Sequence, residues 1–195
     1  FYNESNNGAI PPSPIVSCLG RLKDVNKTVP AHFQKSDSVI LMIGERKDEL
    51  GGSVYYSLFN ELGANIPKPN FEEVKNQIFA LTDCIDDGMV LSCHDIADGG
   101  IASALAEMTF GNEIGCTVKI KSGLASGKIL FSETGGFVLE VSLEKLDKIK
   151  SAFLIYGLDT FEIGTTGGSH IKLNGVVKIS VNKTKEAWTN GLRDK

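Results

Sequence analysis

The sequence lacks the features that mark most specialised protein classes. Its 195 residues include four cysteines, and no two stand in C-x-x-C spacing. That leaves no paired-cysteine zinc module and no thioredoxin-type motif. A zinc site built from Cys93 and His94 would lack the ligand pairs that define such sites. Three of the four cysteines sit in apolar runs and read as reduced core residues of a cytoplasmic protein. No apolar run approaches the length of a membrane span. The net charge of −4 leaves no excess of basic residues for nucleic acid. The polar opening Phe1-Tyr2-Asn3-Glu4 carries no basic n-region, so no signal peptide is expected. With no Met at its head, the chain reads as a cut inside a longer protein. There is no G-x-S-x-G, no cysteine with an activating histidine, and no P-loop. His32 and His170 stand alone in polar surroundings and are expected at the surface.

One constellation remains, at Cys93-His94-Asp95-Ile96-Ala97-Asp98-Gly99-Gly100. The apolar run Gly88–Cys93 reads as a buried strand, and a helix follows with Ile101, Leu105 and Met108 at helical spacing. A strand–acidic loop–helix unit gathers carboxylates where backbone N–H groups and the positive end of a helix dipole point. Such a place suits a phosphate, a metal–phosphate or a carboxylate. The plainer explanation is that Asp98 caps the helix and the glycines let it pack closely. Gly51-Gly52-Ser53 poses the same choice, between an anion cradle and a turn with a serine cap. Glu133 and Thr134 lie in a further loop. If strand Gly88–Cys93 lies beside a strand at Ile129–Phe131, Asp95, Asp98 and Glu133 open on one sheet edge, as magnesium with ATP would require.

Residues 1–36 read as a separate tail with a strand at Ile15–Gly20, and the main domain starts near Asp37. Val39–Ile43 is a continuous apolar run, the pattern of a central strand. A short helix is expected over Val54–Leu62. Asn70 is expected to cap a helix over Phe71–Asp86 with Val74, Ile78 and Leu81 on one face. Strands are expected at Cys116–Ile120, Ile129–Phe131, Phe137–Val141, Phe161–Gly164, His170–Leu173 and Val176–Ile179. Further helices are expected over Leu143–Tyr156 and Thr184–Leu192. Asn174-Gly175 is a hairpin signal. Uneven alternation with hairpins in the second half predicts an α+β fold over 37–195, a mixed sheet with helices on both faces.

Five motifs, in order, carry a resemblance. They are Phe1-Tyr2-Asn3-Glu4-Ser5, Ile10-Pro11-Pro12-Ser13-Pro14-Ile15-Val16, Leu50-Gly51-Gly52-Ser53-Val54-Tyr55-Tyr56, His94-Asp95-Ile96-Ala97-Asp98-Gly99-Gly100 and Phe131-Ser132-Glu133-Thr134-Gly135-Gly136. Together they resemble the synthetase subunit of phosphoribosylformylglycinamidine synthase in its small bacterial and archaeal form. The resemblance implies a three-layer α/β/α domain of the aminoimidazole ribonucleotide synthetase type, second of two related halves. It implies a ligase that makes formylglycinamidine ribonucleotide from formylglycinamide ribonucleotide, ATP and ammonia, with Mg2+. Its implied partners are the remainder of the same polypeptide, a glutaminase subunit and a small accessory subunit. By the same resemblance Asp95 matches a metal-binding Asp, and Glu133-Thr134 match a substrate loop in which Gly135 replaces a Gln. Gly51, Gly52, Ser53, Asp98, Gly99, Gly100, Glu133 and Thr134 are the candidate nucleotide- or phosphate-binding residues, and no catalytic residue is expected. The Gly-Asn-Val-Ser run, the ATP lysine and the base-like histidine of the family have no counterpart here, so the chain alone is expected to be inactive. Selenophosphate synthetase, thiamine monophosphate kinase and a hydrogenase maturation factor share the implied fold, and the five motifs argue against them. A non-catalytic docking domain is the reading from a different class.

Overall fold

In a computed structural model, residues 3–10, 16–22 and 24–191 are described. Two short strands, β1 (Glu4–Ser5) and β2 (Gly8–Ala9), pair as a small hairpin around Asn6-Asn7. Then follow β3 (Val39–Ile43), α1 (Val54–Ser57), α2 (Phe71–Asp86), β4 (Ser92–Asp95) and α3 (Gly100–Met108). The second half adds β5 (Cys116–Val118), α4 (Ser126–Phe131), β6 (Phe137–Val141), α5 (Leu146–Ile155), β7 (Thr160–Thr166), β8 (His170–Leu173), β9 (Val177–Ser180) and α6 (Val181–Asn190).

Seven strands form one mixed sheet in the order β4-β6-β3-β7-β5-β8-β9. The one parallel pair among the described residues is β5 with β8. Strand β3 sits inside the sheet between β6 and β7, and all five of its residues are buried. This explains its unbroken apolar run, since a strand covered on both faces needs no polar side. Its side chains alternate between two cores. Ile40 and Met42 pack with α3 and α4 residues such as Ile101, Leu105 and Leu130. Val39, Leu41 and Ile43 pack with Ala80, Leu81 and Cys84 of α2 and with Ile149 and Phe153 of α5. The domain is therefore a mixed α+β sheet with a helical layer on each face, as the sequence predicts.

Local rules account for the elements that match. Asn70 accepts from the amides of Glu72 and Glu73 and caps α2. Asn174 and Gly175 both take positive φ, 49° and 72°, which suits the two-residue turn joining β8 and β9.

Several expectations are overturned. Ile129–Phe131 is the end of helix α4 and not a strand. The neighbour of β4 is β6, so the edge imagined between residues 88–93 and 129–131 does not exist. Strand β4 starts later than expected and carries His94 and Asp95 within it. Residues 16–20 are extended coil, with Val16 90% and Leu19 99% exposed, and Ile15 and Pro11–Pro14 lie outside the described residues. On α2 the buried positions are Gln77, Ala80, Leu81 and Cys84, while Ile78 is exposed, because the sheet meets the helix about one position round from the stripe expected. His32 and His170 are half-buried; a Cβ on Gly111 would run into the His32 ring.

The core also reaches back before Asp37. Phe33 is fully buried, and its amide donates to Met108 O at 2.7 Å. Pro30 O accepts from Cys93 N at 3.1 Å. The strap is fixed by Glu140, a fully buried carboxylate of β6. Its Oε1 accepts from Lys35 N at 2.9 Å, and its Oε2 accepts from Gln34 N at 2.7 Å and Ser92 Oγ at 2.8 Å.

Candidate functional site

The acidic loop and the two glycine-bearing segments meet at one end of the sheet, and Glu133 joins them. Helix α4 ends at Phe131 with Ser132 as its C-cap, and the short loop to β6 carries Glu133, Thr134, Gly135 and Gly136. Glu133 Oε1 accepts from two amides of distant segments, Val54 N at 2.8 Å and Gly99 N at 2.9 Å. Val54 is the first residue of α1, and Gly99 stands immediately before α3. Glu133 thus ties the start of α1 to the segment before α3, and the anion seated on their N–H groups is the chain's own carboxylate.

Asp98 does not cap α3. The cap position is Gly99, at φ 76°, with no side-chain cap bond, and Asp98 is exposed without a partner among the described residues. Gly100, also at positive φ, 67°, lets α3 lie against the end of α4. A Cβ there would meet Leu130 O at 2.7 Å and Ser132 O at 2.8 Å. Ser53 is a helix cap: its Oγ accepts from Tyr56 N at 3.2 Å and donates to Leu50 O at 2.7 Å.

The other candidate amides are also satisfied within the chain. Gly51 N donates to Asn65 O, Gly52 N to Leu62 O, Ser53 N to Leu50 O and Gly100 N to Ala97 O, all within 2.7–3.2 Å. The candidate amides of Gly51, Gly52, Ser53, Gly99 and Gly100 thus all have acceptors within the chain, and a phosphate on them would have to displace those bonds.

A metal fits no better. Asp95 is exposed, and its carboxylate lies 3.3 Å from His94 Nδ1. His94 spans from β4 to α3, with Nδ1 2.7 Å from Asp95 O and Nε2 2.9 Å from Glu107 Oε2. Among the described residues no three His, Cys, Asp or Glu side chains gather as a metal site. Cys93 is half-buried, and burial first, then the nearby Asp95, pushes its thiol up to about 12.

Two residues that the sequence did not single out hold the Glu133 loop. Arg46 is 3% exposed; its Nη1 donates to Ser132 O at 3.3 Å and its Nη2 to Gly135 O at 2.9 Å. The fork thus grips the loop on both sides of Glu133 and Thr134. Desolvation lowers the Arg46 pKa to about 10, with Glu49 opposing the shift. Glu49 in turn accepts from Thr134 Oγ1 at 2.8 Å. Arg46 Nε and Ser132 Oγ are buried without partners among the described residues. The hint in the sequence was the charged stretch Glu45-Arg46-Lys47-Asp48-Glu49 that follows the apolar run Val39–Ile43 and Gly44.

Beside the loop lies a cavity of about 210 Å3, lined by Gly44, Lys47, Lys68, Glu73, Glu133 and Thr134 among others, with Asp95 not among its lining residues. Asp95 and the Glu133 loop do share an end of the sheet: Asp95 pairs with Phe137, and Ile96 N donates to Gly136 O at 2.8 Å.

A seven-stranded mixed sheet with a helical layer on each face and glycine-rich loops at one end is the architecture that the comparisons recognise. Residues 35–175 match the family described as AIR synthase related protein, C-terminal domain, and the chain belongs to that family. Over its whole length it is 34% identical to the phosphoribosylformylglycinamidine synthase subunit PurL of Methanothrix thermoacetophila. It is 30% identical to that of Alkaliphilus metalliredigens over 99% of the chain. It spans only about a quarter of these relatives, 26% and 27% of their lengths. Among solved structures, Thermotoga maritima PurL complexed with FGAR superposes with a TM-score of 0.71 at 16% identity, over 83% of this chain and 30% of that one. Escherichia coli HypE reaches 0.56 at 19% identity, over 78% of this chain and 51% of that one. These structural likenesses speak for the fold. PurL of T. maritima is also solved with ATP, and within an assembly described as PurLQS. No helix among the described residues is long and apolar enough to cross a membrane.

Proposed function

We propose that this chain is the second synthetase-type C-terminal domain of a PurL subunit, part of a carbon–nitrogen ligase that converts formylglycinamide ribonucleotide, ATP and ammonia to formylglycinamidine ribonucleotide. The observation that carries the reading is the whole-length likeness to PurL subunits at 30–34% identity. The five motifs in family order, three of them built around the Glu133 junction, support it. The rest of the polypeptide, a glutaminase subunit and a small accessory subunit are the partners this reading assigns, in the cytoplasm.

ATP and Mg2+ belong in this reading to the whole enzyme. Asp95 and Asp98 are exposed carboxylates of one loop with no set of metal ligands gathered around them among the described residues, so no magnesium step is assigned to the domain. Its glycine loops are closed by internal hydrogen bonds, so its part is to complete and brace the synthetase. The chain alone should be inactive.

The test is replacement. A PurL subunit whose matching C-terminal quarter is exchanged for this chain should retain ATP- and ammonia-dependent formation of the amidine product. The isolated chain should show none. A soluble, folded chimera without activity would overturn the assignment, as would turnover by the isolated chain.

A further inference from the structure

We propose that the junction of the three loops is an anion cradle occupied by the protein itself: the Glu133 carboxylate sits on the Val54 and Gly99 amides and keeps phosphate out. The proposal goes beyond the assignment to PurL and does not depend on it. One oxygen, Glu133 Oε1, receives both N–H groups at 2.8 and 2.9 Å, from segments that the sheet brings together. Carboxylates that accept backbone N–H at the start of a helix are favoured by charge-assisted bonding and by the helix dipole. The nine-residue α3 supplies that dipole.

A tethered carboxylate competes against dissolved anions at an effective concentration in the millimolar range or above. Here the tether is short and gripped. Arg46 binds the carbonyls of Ser132 and Gly135 on either side, and Glu49 takes the Thr134 hydroxyl. Every neighbouring candidate amide, at Gly51, Gly52, Ser53 and Gly100, is committed to a backbone carbonyl. An incoming phosphate would have to expel the Glu133 carboxylate and then sit beside its charge. With Glu133 shortened, the Val54 amide at the start of α1 and the Gly99 amide just before α3 become free donors.

Backbone amide NMR of the 195-residue chain during titration with sodium phosphate, and separately with formate, tests this. In the wild type the Val54 and Gly99 resonances should not shift saturably with either anion. In Glu133→Ala both should shift saturably, and the affinity should exceed any wild-type binding by at least roughly tenfold. Saturable wild-type shifts at these two amides would overturn the proposal. So would a folded Glu133→Ala chain whose Val54 and Gly99 amides ignore both anions. Should the alanine variant fail to fold, Glu133→Gln keeps the shape and removes the charge. Its Val54 and Gly99 amide protons should then move upfield as the charge-assisted bonds weaken, and unchanged positions would refute a resident anion.

Discussion

Replacing Glu140 by Gln should destabilise the domain far more than a change of one atom suggests. The side chain is fully buried, and every bond it makes is from a neutral donor: Lys35 N to Oε1, and Gln34 N with Ser92 Oγ to Oε2. A glutamine oxygen can serve only one of these two positions. Placed at the Oε2 position it keeps two donors, but its amide then faces the Lys35 N–H, donor against donor. An unsatisfied buried donor costs about 1–3 kcal/mol, and two charge-assisted bonds weakened to neutral ones cost about 1 kcal/mol more. The expected loss is therefore about 2–4 kcal/mol, where each kcal/mol lowers the thermal midpoint by about 2–4 °C at this chain length. Urea unfolding at unchanged slope should report it, and hydrogen exchange should show the Gln34 and Lys35 amides losing protection before the sheet does. A loss below about 0.5 kcal/mol with both amides still protected would refute the reasoning, because it would mean the carboxylate does not anchor the strap.

Gly100→Ala should cost more than about 3 kcal/mol, since it combines positive φ with a Cβ 2.7 Å from Leu130 O, and thermal melting would reveal it. Phe153→Ala, which empties a fully buried site between α5 and β3, should cost about 3–5 kcal/mol in denaturant titration. A thiol reagent at pH 8 should modify exposed Cys18 alone in the native chain and all four cysteines once unfolded. Burial raises the Cys84 thiol to about 11 and those of Cys93 and Cys116 to about 12. Their contribution to stability should be complete below about pH 8.5, the unfolded thiol value, and lost as pH rises through 11 to 12, measurable as an alkaline fall in unfolding free energy.

What was legible in the sequence was what short-range chemistry decides. Asn70 announces α2 because a cap bonds its own next residues, and Val39–Ile43 announces a doubly covered strand because nothing polar interrupts it. The Asn174-Gly175 turn follows from backbone sterics at two adjacent positions. The errors fall where distant residues decide. Ile129–Phe131 is too short an apolar run to separate helix from strand, and the contact of α4 with α3 settles it as helix. Asp98 looked like the cap of α3, but Glu133, 34 residues further on, takes the Gly99 amide. Arg46 and Glu140 act on backbone 86–106 residues away in sequence and left no local pattern to read. The Asp95 and Glu133 loops were expected on one sheet edge from a pairing of residues 88–93 with 129–131 that does not exist; β4 and β6 bring them to one end instead, and the filling of the junction by Glu133 left no local signal.

The position of β3 bears on how the chain is made. Its neighbours are β6 and β7, with Val39 opposite Val141 and Thr165, so this fully buried strand is synthesised about a hundred residues or more ahead of both partners. At about 5–20 residues per second that is roughly 5–20 s during which Val39-Ile40-Leu41-Met42-Ile43 has no sheet to enter. Folding of this sheet on the ribosome must therefore wait for β7, and the nascent chain carries this apolar segment without its partners until then. A chaperone that binds extended apolar peptides would find its natural target at these five residues, and a chain truncated before Thr160 would leave that target permanently open.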